Sequence, residues 1–93
     1  MQDSQRCQTT VTIMNRLGMH ARPAMAFVDL ANRYASTVTV RKNEQSVDGK
    51  SIMQMMMLAA VKGTELEIEV QGPDAEDAIG ALEGLVGRGF DED

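Results

Sequence analysis

The chain has 93 residues, which is enough for one domain around one core and too few for two. Nine basic and 14 acidic residues give a net charge of −5, and with two Phe, one Tyr and no Trp this composition excludes general nucleic-acid binding. A single cysteine, Cys7, has no assigned role, and the longest apolar run, Met55 to Val61, has seven residues. We therefore expect a cytoplasmic protein without a signal peptide, membrane insertion, bound metal or cofactor.

Alternation of polar and apolar residues predicts four strands. Thr10 to Met14 gives the first strand, which follows a polar lead-in. Ser36 to Arg41 and a short stretch that ends at Val47 form a hairpin across a turn of polar residues. Glu65 to Val70 gives the last strand, with three carboxylates toward water and three aliphatic side chains toward the core.

Three segments have apolar residues at helical spacing: two lie between these strands and one follows the last strand. Ala21 to Tyr34 has apolar residues at helical spacing, and Pro23 fits only in its first turn. Ile52 to Leu58 is a short apolar segment of helix-forming residues, and we expect Gly63 to end this helix. The Gly-Pro-Asp sequence at 72–74 opens the last helix, whose apolar face consists of Ala75, Ala78, Ile79, Leu82, Leu85 and Val86.

The order of elements, βαββαβα, predicts an α+β fold: an open-faced β-sandwich in which three helices cover one face of a four-stranded antiparallel sheet. We expect one domain over residues 1–93, with a core from about 9 to 88 and polar ends at 1–8 and 89–93. Leu, Ile, Val and Phe supply only 20 residues, so the eight methionines should supply much of the core volume. We expect the acidic residues at 91–93 to be solvated.

His20 is the only histidine and directly precedes the helix predicted from Ala21, which places it near the N-cap. The first turn of a helix has unpaired N–H groups and a partial positive charge, which would stabilise a phosphoryl group attached to the ring. The same field favours a neutral, nucleophilic imidazole. Arg22 would add a charge-assisted contact, and Gly18 permits a close backbone approach before the helix. From composition alone, an ordinary surface histidine is the alternative.

Ser51 stands where a hydroxyl caps the short helix after it, and capping alone is enough to explain this serine. The sequence Gly-Lys-Ser at 49–51 has part of the pattern of a nucleotide-binding loop. That pattern requires glycine at position 44, where the chain has Glu44, so we reject a nucleotide-binding loop.

The segment from Ile52 to Met57 places methionines on every side of a short helix, so some of them must be exposed. Flexible thioether side chains adapt to differently shaped partners, which predicts a docking patch here. Core packing is the alternative for part of these methionines.

Residues 18–24 read Gly-Met-His-Ala-Arg-Pro-Ala, and residues 49–53 read Gly-Lys-Ser-Ile-Met. The first motif is similar to the active-site signature Gly-Leu-His-Ala-Arg-Pro-Ala, and the second to the regulatory-serine segment, of one family. This family is the histidine-containing phosphocarrier protein (HPr) family of the bacterial phosphoenolpyruvate-dependent phosphotransferase system. The resemblance extends from about Thr9 to Leu85 and includes the opening of the last helix.

The resemblance implies a phosphoryl carrier that is not itself an enzyme. His20 would accept a phosphoryl group at Nδ1 from phosphoenolpyruvate-charged enzyme I and pass it to IIA domains of sugar permeases, while Arg22 stabilises the phosphohistidine. Ser51 would be phosphorylated by an HPr kinase/phosphorylase, which adds about −1.5 to −2 charges and hinders the docking of acidic partners. The predicted docking residues are Met19, Pro23, Ala24, Ile52, Met53 and Met56.

Two other functions stay open. One is a regulatory interaction module that binds transcriptional regulators under the control of Ser51, without a main role in sugar transport. The other is a small ligand-binding α+β domain, if the two motifs arose by chance. The sequence does not distinguish sugar transport from a nitrogen-type regulatory output.

Overall fold

Four strands and three helices follow one another in the predicted order βαββαβα, so the predicted α+β class is confirmed. The structure is a computed structural model that describes residues 5–92. The elements are β1 (Gln5–Thr12), α1 (Ala21–Ala31), β2 (Thr37–Lys42), β3 (Gln45–Asp48), α2 (Ile52–Met57), β4 (Glu65–Gly72), α3 (Ala75–Gly87) and a 3₁₀ turn (Gly89–Asp91). No helix in this part of the chain is long and apolar enough to span a membrane.

The sheet is antiparallel with the strand order β1-β4-β2-β3, so β4 is paired on both sides. Polar and apolar side chains alternate along β4, which gives the sheet two different faces as predicted. Leu66, Ile68 and Val70 are buried, whereas the glutamates between them lie on the other face. On that open face Arg41 binds both Glu67 and Glu69 across the sheet. The buried face carries the helices, which gives the predicted open-faced sandwich.

The core consists mainly of aliphatic and alanine side chains, and the prediction of a methionine-rich core is wrong. Only Met19 and Met55 are buried among the methionines of residues 5–92. Small residues on the helices, such as Ala24 and Ala78, let the helix layer approach the sheet closely, so little volume is left for long side chains. The remaining methionines of this part of the chain are exposed: Met14, Met25, Met53, Met56 and Met57.

Both ends of the described chain differ from the prediction of polar ends. β1 begins at Gln5, because the backbone of an edge strand pairs with β4 whatever its outward side chains are. Residues 1–4 lie outside the described residues. At the other end Phe90 is buried in the core, so the chain beyond α3 is anchored. Of the acidic tail that was predicted to be solvated, Asp91 is exposed as predicted, whereas Glu92 is largely covered and contradicts the prediction. Residue 93 lies outside the description.

The helices end earlier than their apolar patterns predict. α1 ends at Ala31 and not at Tyr34, since the Asn32 side chain donates to the Val28 carbonyl and covers the last turn. α2 ends at Met57, and the chain turns at Ala59, which has a positive φ of 49°. Gly63 therefore lies in the following loop and does not end the helix.

Asp74 connects the start of α3 to the start of β2. As the predicted opening of α3 requires, it is the N-cap residue of that helix, but its carboxylate accepts no bond from α3 itself. The carboxylate instead accepts hydrogen bonds from the Ala35 amide at 2.8 Å, the Ser36 amide at 3.0 Å and the Ser36 hydroxyl at 2.5 Å. The connection therefore depends on an ionised carboxylate that faces three donors.

The Asp74 contacts predict a pH dependence of stability. The pKa of this carboxyl is lowered by the hydrogen bond from the Ser36 hydroxyl and then by that from the Ala35 amide. A folded-state pKa below the unfolded value near 4 means that this stabilisation is present above about pH 4 and is lost as pH falls through the folded pKa. We expect the thermal midpoint to fall more steeply between about pH 5 and about pH 2 in the wild type than in Asp74→Asn.

The matched control for this experiment is Asp77→Asn, since the exposed Asp77 carboxylate makes no hydrogen bond within residues 5–92. Its pH profile should follow that of the wild type. An Asp74→Asn profile as steep as the wild-type one would show that the three donors do not stabilise the ionised form.

Candidate functional site

His20 is the N-cap residue of α1, as predicted. Its backbone is extended, with φ −95° and ψ −168°, and its carbonyl accepts the first helical hydrogen bond from Ala24 at 3.0 Å. The side chain does not cap the helix and is 38% exposed. The imidazole is therefore free to react while its backbone is held at the helix start.

The first turn of α1 leaves two donors without a partner. Pro23 has no N–H, and within residues 5–92 the amides of Ala21 and Arg22 make no hydrogen bond. These amides lie directly after the histidine at the positive end of the helix dipole. An anion attached to the ring would meet them at this end of the helix.

The loop before His20 is docked on the connection between α2 and β4. Gly18 has φ +72°, and a Cβ on it would lie 2.5 Å from the Ala60 carbonyl oxygen. The next amide, Met19, donates to that same oxygen at 2.8 Å, and the Met19 side chain is buried. The prediction that Gly18 permits a close backbone approach is confirmed, and this approach orients the histidine.

Two site residues were missed by sequence reasoning, Asn15 and Glu92. Asn15 is 1% exposed, and its Nδ2 donates to the Gly18 carbonyl at 2.7 Å and to Glu92 Oε1 at 3.1 Å. The same Glu92 oxygen lies 3.2 Å from His20 Nε2. Phe90, an apolar residue in an otherwise polar tail, is the sequence signal that this segment packs against the domain.

His20 opens onto a shallow depression of about 380 Å³. Arg22 lines the same depression, so the structure brings together the two residues predicted to act on a phosphoryl group. Both basic and acidic side chains line it, so a small anion would find guanidinium groups there. The lining residues are Arg16, Leu17, His20, Arg22, Asp91 and Glu92. No cluster of His, Cys, Asp or Glu suited to a metal ion occurs within residues 5–92.

Ser51 is the N-cap residue of α2, and its hydroxyl accepts a hydrogen bond from the Gln54 amide at 3.2 Å. The predicted capping role is therefore confirmed. The hydroxyl is at a partly exposed position beside Ile52 and Met53, which are 38% and 78% exposed. A group added to Ser51 would lie next to this apolar surface.

The predicted docking residues fall into two sets. Met19, Pro23 and Ala24 are buried, so they cannot contact a partner directly, and their prediction as docking residues is wrong. They lie next to His20 in sequence, but the loop and the inner face of α1 turn them toward the core. The exposed apolar surface consists of Ile52, Met53, Met56 and Met57 of α2, and Leu17 and Val61 are also exposed apolar residues.

The fold and the site define a class of small α+β protein with a partly exposed histidine at a helix start. The model of a protein family described as "PTS HPr component phosphorylation site" matches residues 7–88. The chain therefore belongs to the HPr family of phosphocarrier proteins of the phosphotransferase system.

Individual relatives agree with this assignment. Phosphocarrier protein HPr of Pseudomonas aeruginosa is 51% identical over 83 residues, covering 88% of this chain and 92% of the relative. Phosphocarrier protein NPr of Proteus mirabilis is 48% identical over 84 residues, covering 89% and 93%. The crystal structure of HPr-C-His from Thermoanaerobacter tengcongensis superposes with a TM-score of 0.90 at 38% identity, covering 94% of this chain and 98% of that one.

The close approach at Gly18 predicts a position-specific cost of adding a methyl group. Gly18→Ala should lower the free energy of unfolding by about 2 to 4 kcal/mol, because the positive φ and the clash with the Ala60 carbonyl add. Gly80→Ala is the matched control, since a Cβ there meets nothing within 4 Å in the middle of α3.

The control variant should gain about 0.5 to 1 kcal/mol from its helix propensity. Urea unfolding of both variants measures the two changes. Equal effects of the two substitutions would contradict a special constraint at Gly18.

Proposed function

We propose that this chain is a phosphoryl carrier in which His20 Nδ1 accepts a phosphoryl group from phosphoenolpyruvate-charged enzyme I and passes it to IIA domains of sugar permeases. The observation that carries this proposal is a half-exposed imidazole at a helix N-cap, followed by the unpaired amides of Ala21 and Arg22. Membership of a phosphocarrier family supports it.

In the proposed transfer, the lone pair of His20 Nδ1 attacks the phosphorus atom of the charged donor. The nitrogen–phosphorus bond forms while the donor's bond to phosphorus breaks, and that electron pair stays with the donor. The reverse sequence delivers the group to the acceptor domain. The lone pair of a neutral imidazole is the nucleophile in this step.

The phosphoryl oxygens need positive partners, and the start of α1 offers them. The free amides of Ala21 and Arg22 and the partial charge of the helix dipole act on the group from one side. The exposed Arg22 guanidinium lines the same depression and adds a charge-assisted hydrogen bond. Pro23 supports this arrangement by fixing φ in the first turn without adding another donor.

Loss of the acceptor or of its guanidinium partner tests this function. After incubation with phosphoenolpyruvate and purified enzyme I, the wild type should carry an acid-labile, base-stable adduct that is absent from His20→Ala. Arg22→Ala should accept the group about tenfold more slowly, because one charge-assisted hydrogen bond to the oxygens is lost.

Arg33→Ala is the matched control for Arg22, since Arg33 is an exposed arginine beyond the other end of α1. It should keep the wild-type rate. Phosphorus NMR of the product identifies the modified ring nitrogen. A wild-type chain that takes up no phosphoryl group, or an adduct retained in His20→Ala, would refute the proposal.

We further propose that phosphorylation of Ser51 by an HPr kinase/phosphorylase reduces docking. The hydroxyl caps α2 beside the exposed Ile52 and Met53, so a phosphate there places about −1.5 to −2 charges at the edge of the apolar surface. A partner that covers this surface would have to desolvate that charge. The apolar surface near Ser51 and the phosphoryl acceptor His20 would then lie on different helices, α2 and α1, of the layer that covers the sheet.

Charge at position 51 should weaken the affinity for enzyme I. Ser51→Asp is expected to raise the dissociation constant about tenfold, measured by calorimetric titration, because it puts a carboxylate beside the apolar surface. Ser51→Asn is the control, since asparagine also caps helices but is neutral, and it should bind as the wild type does.

The same titration addresses the regulatory alternative. If Ser51→Asp keeps its affinity for enzyme I and instead gains affinity for a transcriptional regulator, the chain is an interaction module controlled at Ser51. Equal binding of Ser51→Asp and Ser51→Asn to every partner would show that charge at Ser51 does not regulate binding.

A further inference from the structure

The chain beyond α3 returns to the functional site and is held there. Gly89 and Phe90 have positive φ values of 65° and 58°, and this turn redirects the backbone toward the start of α1. The Phe90 side chain is 6% exposed and belongs to the core. Next to it, Arg88 Nε binds Asp91 Oδ1 at 3.1 Å. An apolar anchor thus fixes where the following residue, Glu92, is placed.

A buried amide holds the Glu92 carboxylate in one position. Asn15 Nδ2 donates to Glu92 Oε1 and to the Gly18 carbonyl, and since both partners are acceptors the orientation of this amide is determined. The side chain of Glu92 is 14% exposed, much less than the 64% of Asp91. Asn15 therefore couples the carboxylate to the loop that positions the histidine.

The contact between Glu92 and His20 has a consequence for the ring proton. An ionised carboxylate only accepts hydrogen bonds, so the 3.2 Å contact from Glu92 Oε1 to Nε2 requires the ring proton to be on Nε2. In a neutral imidazole the other nitrogen, Nδ1, then has the free lone pair. The carboxylate also fixes the orientation of a ring that is otherwise half-exposed.

We propose that Glu92 is a positioning residue that holds His20 in the Nε2–H form with Nδ1 free for the phosphoryl group. This inference rests on the proposed function of His20 as acceptor. During transfer the bond from Nδ1 to phosphorus forms, the donor's bond to phosphorus breaks with its electron pair, and the proton stays on Nε2. The ring gains positive charge as its lone pair is used, and the adjacent Glu92 carboxylate stabilises that charge.

The other charged residues of the chain make it possible to distinguish the contact between Glu92 and the ring from a general effect of negative charge. Arg16, Arg22, Asp91 and Glu92 all line the depression, but within residues 5–92 only Glu92 makes a hydrogen bond with the imidazole. Glu44 has the same charge and the same side chain, is exposed in the turn between β2 and β3, and does not line this depression. It is therefore the matched control for loss of one negative charge.

The experiment compares Glu92→Ala, Glu92→Gln and Glu44→Ala with the wild type in two measurements. The first is the rate of phosphoryl acceptance from limiting charged enzyme I. The second is the nitrogen-15 NMR spectrum of the His20 ring in the unphosphorylated protein, which reports the position of the ring proton. Thermal midpoints show whether each variant is folded.

We expect Glu92→Ala to accept the group about fivefold more slowly and to show a mixture of the two neutral ring forms, because a partly exposed charge-assisted contact is lost. Glu92→Gln retains an acceptor oxygen, so it should keep the Nε2–H form and accept at a rate between those of Glu92→Ala and the wild type. Glu44→Ala should match the wild type in both measurements.

Unchanged ring spectra and an unchanged rate in folded Glu92→Ala would overturn the inference. A faster rate in this variant would also overturn it, since the carboxylate would then obstruct the site. Failure of the proposed function is distinguishable, because the wild type itself would then take up no phosphoryl group while its ring spectra still report the contact with Glu92.

Discussion

A single close approach of two backbone segments determines where His20 lies. Gly18 lies so near the Ala60 carbonyl that no side chain fits between them, and the Met19 amide donates to the same oxygen. The loop after β1 is thereby held on the connection between α2 and β4, so α1 starts at one defined point. The free amides, the exposed ring and the Asn15 contacts all depend on this start.

The helix layer lies close to the sheet because its inner residues are small, and this closeness also shapes the surface. Ala24, Ala31 and Ala78 are fully buried, so the core needs few long side chains. The methionines of α2 other than Met55 therefore face solvent and form, with Ile52, an exposed apolar surface. An apolar patch of this kind on a small protein marks a binding surface, which supports the proposed docking of partners near Ser51.

How far the sequence predicts this molecule depends on whether a local pattern or a distant contact decides the outcome. The alternation of Glu65 to Val70 and the position of His20 before α1 follow from local rules, and both were predicted. The burial of Met19 and Ala24 depends on which way the loop and helix face turn, so proximity to His20 in sequence was misleading. The contact of Glu92 with His20 joins residues 72 positions apart. Phe90 indicates that the tail packs against the domain, but no local pattern indicates where Glu92 then lies.

The proposed carrier role limits how strongly the site can hold the phosphoryl group. A group that must be handed onward cannot be bound tightly, since every contact that persists after transfer begins adds to the barrier for release. In the proposed site a few separate contacts hold the phosphoryl group: a helix dipole contributes about 0.3 to 1 kcal/mol, and each charge-assisted hydrogen bond about 1.5 to 3 kcal/mol. The exposure of the ring and the open depression keep these contributions screened by water. In the proposed role of Glu92, its carboxylate contacts Nε2 of the ring and not the phosphoryl group. It therefore orients the nucleophile without opposing the release of the phosphoryl group.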